Sequence, residues 1–273
     1  KLLNSAIEFL FRSDNKHEKT HYTYFGRTKI RVLLHTLNIS IKKKIRARFM
    51  LKNFKTEIDT HSPFVYYPLG VDPEANILIT APFYTNQIEV IRNVAKSLPM
   101  GCNLYVKENP AQTNREWRSI SEYKEIMNIP NVTLLHPSVS NEKLLKNSSL
   151  VVTIAGTSGF EAAFYQKPSI IFADTIYSIL PSVHRVTNIE ELPSLIRKCF
   201  SENVNEHDLD KFLTMLEEDT FDFDLRGFNS KILEHFFNDG HLHDMEISEK
   251  DMKNFLEQNE SSLQILTQEH TKK

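Results

Sequence analysis

With 273 residues, of which 40% are apolar and 25% charged, the chain is long enough to bury a substantial core and too apolar to stay disordered over most of its length. A formal net charge of -2 excludes attraction of the whole molecule to nucleic acid or anionic lipid, so any such attraction has to come from a local cluster. Cys102 and Cys199 are the two cysteines, far apart and with no second Cys or His at ligand spacing, which argues against a disulfide framework and a zinc site and fits a reducing cytosol.

No apolar run reaches the roughly 18 to 20 residues of a membrane span. The N-terminus lacks the ordered basic, apolar and small-residue segments of a signal peptide. The first residue is Lys1 rather than Met, which leaves a processed product or a fragment open.

All eleven prolines fall between Pro63 and Pro193. Proline punctuates strand and loop junctions, so residues 61–204 should hold an alternating α/β domain, with residues 1–60 a mostly helical remnant or linker. Residues 205–240 read as two closing helices and 241–273 as a polar tail, with a frayed helix over residues 248–259 followed by disorder. Within the N-terminal segment, residues 42–55 (KKKIRARFMLKNFK) interleave Lys42, Lys43, Lys44, Arg46 and Arg48 with Ile45, Phe49, Met50 and Phe54. Such a stretch suits an anionic membrane surface or a lipid-linked acceptor; a solvated helix face is the other reading.

Along the α/β part, residues 76–80 (NILIT) read as the first strand and 87–98 as a helix with Ile88, Ile91, Val94, Ala95 and Leu98 on one face. Residues 103–107 (NLYVK) read as a strand, followed by a helix carrying Trp117, Ile120, Tyr123 and Met127. The alternation continues with strand 131–135, a short helix over 141–147, strand 150–154, a helix from Thr157 to Tyr165, strand 169–173 and a helix over 189–200. Apolar strands separated by helices predict a parallel sheet covered on both faces, a Rossmann-like doubly wound domain. Its ligand site should lie beyond the carboxyl ends of the strands.

Three segments meet that expectation. In residues 151–163 (VVTIAGTSGFEAA), a strand runs into a small-residue turn and a helix start: Gly156 and Gly159 admit an oxygen close to the backbone, Thr157 and Ser158 add hydroxyls, and the helix end favours a phosphate. Glu161 can accept from a sugar hydroxyl. An ordinary N-cap with Glu161 as capping-box partner is the competing reading. Lys107 ends its strand as a phosphate-pairing cation with Glu108, Asn109 and Pro110 beside it, against the alternative of a solvated charged loop. Asn86 and Gln87 open the helix after the segment APFYT, and Asp174 ends the strand SIIFA. His241, His243, Asp244 and His235 offer no cage for a metal, and no metal or cofactor is expected.

These same residues carry a resemblance. From Phe64 to Phe200 the sequence resembles the C-terminal half of capsule polysaccharide biosynthesis transferases, the group that includes bacterial Kdo transferases, through FVYYPLGVDPEA, LYVKENPA and VVTIAGTSGFEAA in that order. The resemblance implies a GT-B fold of two facing Rossmann-like domains. It also implies a donor nucleotide held by the C-terminal one without a metal, with Asn86, Gln87, Lys107, Asn109, Pro110, Gly156, Thr157, Ser158, Gly159, Glu161 and Asp174 as donor contacts. The family's Ser/Thr-Gly-x-Glu start is intact at Ser158 to Glu161. Its His-Pro pair is not: Asn109 stands where the His would be, and asparagine donates a hydrogen bond but supplies no charge. His136-Pro137, one strand later, can substitute or simply form a loop. Residues 1–60 are too few for an acceptor domain, so no general base is assigned. The implied function is sugar transfer from a nucleotide-activated donor, with CMP-linked sugars among the candidates, to a surface glycan or glycolipid at the cytoplasmic face. A non-catalytic donor-binding remnant or subunit, an epimerase and a polyol-phosphate transferase remain the alternatives.

Overall fold

The structure, a computed structural model, describes residues 7, 29–71, 75–114, 118–237 and 247–271. They divide into two units, Ser40–Met215 and a second made of Lys1–Ile39 with Leu216–Lys273. The functional argument concerns the first.

Its centre is a six-stranded sheet, all parallel: β1 (Phe64–Pro68), β2 (Asn103–Lys107), β3 (Val132–Leu135), β4 (Leu150–Thr153), β5 (Ser169–Ile171) and β6 (Val183–Arg185). The order β3-β2-β1-β4-β5-β6 reverses between β1 and β4. A doubly wound sheet opens a crevice at the carboxyl ends of the strands where the winding reverses, which fixes where a ligand belongs. The Rossmann-like α/β class expected from the sequence is the one observed.

The helices are α1 (Lys29–Asn53), α2 (Ala75–Leu78), α3 (Gln87–Ser97), α4 (Ile120–Met127), α5 (Asn141–Asn147), α6 (Ser158–Glu161), α7 (Leu192–Phe200), α8 (Glu206–Asp219), α9 (Leu225–Phe237), α10 (Glu249–Gln258) and α11 (Glu260–Thr271). Strand alternation sorts the core into two layers. Val65, Tyr67, Leu104, Val106 and Val152 bury one face with Val90, Ile91 and Val94 of α3, Tyr123 and Ile126 of α4 and Ile196 of α7. Phe64, Tyr66, Tyr105 and Val151 face the other way, against Leu144 and Leu145 of α5 and Ala162. A sheet covered on both sides needs strands apolar at every position, and β1 has four buried residues followed by one half-buried.

Two strand assignments need correction. NILIT is not a strand: Ala75–Leu78 is a single helical turn, and Leu78 and Ile79 are 53% and 77% exposed. The sequence Asp72-Pro73-Glu74 ahead of it is a helix-start signal that outweighs the β-branched run. The central strand is instead FVYYP, paired with β2 from Phe64↔Asn103 to Pro68↔Lys107 and with β4 at Val65↔Leu150. The edge strand β6 has three residues, too short to stand out in a sequence. Met127, expected inward, is exposed, and Ile126 takes its place in the core. Trp117 lies outside the described residues.

The C-terminal half of α1 belongs to the same unit. Met50 and Phe54 are buried, Phe54 meets Tyr123 edge-on at 5.0 Å, and Lys55 forms a parallel bridge to Leu135. Arg46 is also buried and donates to the Gln112 carbonyl at 3.4 Å. Phe49, Met50, Phe54 and Arg46, expected on a membrane-facing surface, therefore face the fold.

In the second unit, α9 and α10 meet through Phe236 and Phe255, with ring centroids 4.9 Å apart. Ser248 caps α10 by accepting from the Asp251 amide at 3.1 Å, and α11 follows where the sequence suggested disorder. His241, His243 and Asp244 lie outside the described residues.

Candidate functional site

At the carboxyl end of β2, Lys107 is 4% exposed. Parallel pairing to β1 and β3 fixes its backbone, and the strand alternation points its side chain to the layer of Tyr66 and α5. There the ammonium donates to Asn141 Oδ1, the same oxygen that accepts from the Tyr66 hydroxyl at 3.2 Å. Asn141 is the first residue of α5, which the Ser140 hydroxyl caps by accepting from the Lys143 amide. Desolvation pushes the Lys107 pKa below its ordinary value, and the Glu161 carboxylate opposes that shift. Burial raises the Tyr66 phenol well above its usual range, with Glu161 adding to the effect. Tyr66, Lys107, Asn141 and Glu161 thus share one electrostatic neighbourhood.

A cleft of about 380 Å³ lies beside them, lined by Asn141, Glu142, Leu145, Glu161, Phe164 and Tyr165. Its lining mixes the apolar and aromatic side chains of Leu145, Phe164 and Tyr165 with the amide and carboxylate groups of Asn141, Glu142 and Glu161, which can hydrogen-bond hydroxyls. That mixture suits a ligand with both apolar and polar surface.

The turn after β4 is tighter than a regular helix. Its α-helical part is one turn, Ser158–Glu161, after which Ala162–Tyr165 narrows to a 3₁₀ turn ending at Gln166 with φ 55°. Pro168 follows and cannot sit in a continuing helix. Thr157 already has helical dihedrals and makes no side-chain cap; its hydroxyl donates to Glu161 Oε1 at 2.9 Å. Neither the N-cap nor the capping box considered from the sequence forms. The glycines are also explained by protein rather than ligand: a Cβ on Gly156 would come within 2.7 Å of Thr153 Oγ1, and one on Gly159 within 3.2 Å of Thr153 Cγ2 and of Tyr177. The Gly156 amide donates to Thr153 Oγ1 at 3.1 Å and the Gly159 amide to the Gly156 carbonyl at 3.1 Å. Tyr177 closes the turn by donating to Gly156 O at 2.5 Å. The amides of Thr157 and Ser158 head the turn, where helix geometry offers no acceptor.

The other residues singled out from the sequence have structural engagements. Asn86 caps α3, accepting from the Ile88 and Glu89 amides. Gln87, 3% exposed, clamps Gly70 by accepting from its amide at 2.8 Å and donating to its carbonyl at 3.2 Å. Asn109 accepts from the Ala111 amide and so shapes the turn begun by Pro110. Asp174 pairs with Arg185 at 3.2 Å, both exposed. His136 forms a local loop, its Nδ1 accepting from the Ser138 amide.

Glu108 was expected in a charged loop near solvent or ligand. It is fully buried, ion-paired to Arg118 at 2.9 Å and accepting from the Tyr123 hydroxyl at 2.5 Å and the Asn109 amide at 2.8 Å. Desolvation raises its pKa, opposed by Arg118, Tyr123, the Asn109 amide and Arg46. Arg118 also donates to Gly70 O at 2.8 Å, at a positive φ of 65°. This network lies under the loop that follows Lys107 and ties β1, β2 and α4 together. Sequence reasoning missed Tyr66, Asn141 and Tyr177 as neighbours of the site. Only the aromatic run FVYYP after Pro63 signalled the first of them.

Among the described residues, His184, Cys199 and Glu202 are the group whose ligand atoms lie within 4.8 Å of one another. His184 Nε2 and Glu202 Oε2 are 2.6 Å apart, and burial pushes the Cys199 thiol up to about 12.

The sequence profile of the family described as capsule polysaccharide biosynthesis protein matches residues 3–182. The chain belongs to that family. The match reaches well before β1, so α1 is part of what this capsule-biosynthesis family shares with the chain. A search of the curated proteins finds no match. Among solved structures, the fold is similar to KpsC, a β-Kdo 2,7 transferase of Thermosulfurimonas dismutans, at 16% identity over 57% of this chain and 51% of that one, with a TM-score of 0.38. It is similar also to the UDP-GlcNAc 2-epimerase of Methanocaldococcus jannaschii, at 16% identity over 70% and 54% of the two chains, with a TM-score of 0.41. The chain spans about half the length of these structures. Likeness at this level is one of fold and says nothing about substrate.

Proposed function

We propose that this capsule-biosynthesis chain is the donor-binding half of a GT-B glycosyltransferase, which moves a sugar from a nucleotide-activated donor onto a surface polysaccharide or glycolipid at the cytoplasmic face of the membrane. The observation that carries the reading is Lys107: a buried ammonium whose hydrogen-bond acceptor is a neutral amide oxygen, at the carboxyl edge of a parallel sheet beside a carboxylate and a cleft.

In this reading the donor's phosphate approaches Lys107 and the leading amides of Thr157 and Ser158. The ammonium then neutralises the charge that grows on the leaving phosphate, in a setting where water screens it little. Glu161 accepts from a sugar or ribose hydroxyl, held in place by the Thr157 hydroxyl. Leu145, Phe164 and Tyr165 pack on the apolar face of the ligand. The donor is a substrate, and the positive charge at the leaving group is the lysine's. The base that activates the acceptor is not among these residues.

Calorimetric titration with CMP-, UDP- and CDP-linked sugars, followed by product analysis, tests this. One donor class should bind wild type and lose about tenfold or more in affinity with Lys107→Met, as removal of a charge-assisted hydrogen bond requires. Equal binding to both proteins would remove the basis of the reading. An isomerised nucleotide sugar as product would assign the site to an epimerase instead, and binding without turnover would make the chain a donor-binding subunit.

A further inference from the structure

We infer that His184, Cys199 and Glu202 bind a divalent transition-metal ion of the zinc class, which clips the edge strand β6 to α7. Their ligand atoms all lie within 4.8 Å of one another. They supply an imidazole nitrogen, a sulfur and a carboxylate oxygen, a donor set that zinc and cobalt accept.

The fold brings them together from two elements. His184 is the middle residue of β6, fixed by its pairing with Ile170 of β5. Cys199 lies in the last turn of α7, after which the chain folds back and the Glu202 amide donates to the Cys199 carbonyl at 3.2 Å. That turn sets the carboxylate beside both the thiol and the imidazole. Spacing along the chain does not reveal the set, because the histidine comes from a strand and the other ligands from a helix end.

Charge and access favour a cation here. A thiolate and a carboxylate beside a neutral imidazole balance a divalent ion. The C-terminal end of α7 adds the negative potential of its peptide dipoles. Lys198, the cation that acts on the thiol, is exposed. Cys199 is 1% exposed, whereas the His184 and Glu202 side chains are 13% and 19% exposed, so an ion enters from their side and water can fill a fourth position. Tetrahedral zinc holds nitrogen and oxygen ligands about 3.3 Å apart, so the pair now at 2.6 Å has to part by under an ångström. Binding releases the Cys199 proton, the Nε2 proton moves to Nδ1 or to solvent, and no electron is transferred. Two strands separate β4 from this site, β6 being the outer one, and the inference is independent of the donor proposal.

Cobalt titration of the full chain, stripped with EDTA, desalted and kept in a phosphine reductant, tests it. A thiolate-to-cobalt charge-transfer band should grow and saturate at one ion per chain, Zn²⁺ should displace the cobalt, and Zn²⁺ should raise the thermal midpoint. Cys199→Ser should remove the band, and Glu202→Gln should weaken binding about tenfold or more. Cys102→Ala, at the other buried thiol, should leave the band unchanged. Circular dichroism without metal checks that each variant is folded, and Glu202→Gln carries the test should Cys199→Ser not fold. No band in the folded wild type, a band that survives Cys199→Ser, wild-type affinity in Glu202→Gln, or a midpoint that Zn²⁺ lowers would each overturn the inference.

Discussion

The Glu108 carboxylate and the Arg118 guanidinium meet at 2.9 Å with side chains 0% and 2% exposed, directly after the lysine that faces the candidate site. A buried pair adds little stability relative to an apolar replacement, but removing one partner strands the other charge in a medium that cannot solvate it. Arg118→Met should therefore destabilise the fold by about 3–5 kcal/mol. Glu108→Gln, which keeps the shape and some hydrogen bonds, should cost less. Urea unfolding followed by fluorescence would show the order, and two equal losses would refute it.

Lys107 predicts a pH dependence with a definite sign. Desolvation lowers its pKa, so between that value and the ordinary lysine value the unfolded chain binds more protons than the folded one, and stability rises with pH across the window. Below the window the penalty is fully present. Lys107→Met should flatten this rise while weakening donor binding. A bound phosphate favours the ammonium, so affinity for a nucleotide sugar should fall in wild type as the pH rises through the lowered lysine value, and not in the variant. A pH-independent affinity in wild type would contradict this.

Gly156 and Thr153 form a testable couple. Gly156→Ala drives a methyl to within 2.7 Å of Thr153 Oγ1 and displaces the hydroxyl that accepts from the Gly156 amide. The expected loss is about 1–3 kcal/mol. Thr153→Ala removes the clashing oxygen, so the double variant should be more stable than the sum of the two single losses implies. Strict additivity in thermal unfolding would show that the close approach does not decide the residue type.

Glu161 is half-buried at the cleft and engaged by Thr157. Glu161→Ala should leave the unfolding midpoint within the range of ordinary surface changes, about 0.5 kcal/mol. Ligand-induced thermal stabilisation should shrink at the same donor concentration. An unchanged ligand shift would remove Glu161 from the site.

Much of the fold was legible because its helices and most of its strands obey periodicity. The 3.6-residue period of α3, with Val90, Ile91, Val94 and Ala95 inward, and the short apolar centres of NLYVK and LVVTI need no partner to be recognised. NILIT failed because a β-branched composition does not say whether a segment finds a sheet edge to pair with, and FVYYP took the central position. The site was legible by type more than by contact. Lys107 and Glu161 could be named from strand and helix ends. Asn141, whose oxygen joins Lys107 to Tyr66, lies 34 residues from the lysine, and nothing in its own neighbourhood advertises the contact.

The order of residues by itself determined the alternation of strands and helices, the parallel class and the family, because those depend on local periodicity and on motifs that survive as strings. The tertiary structure alone decided which charges are buried and which glycines are fixed by packing. Glu108 and Lys107 are adjacent in sequence, yet strand alternation sends one into a closed ion-pair network and the other toward an open cleft. Burial and pairing are properties of the space between elements, and that space exists only after the sheet has assembled.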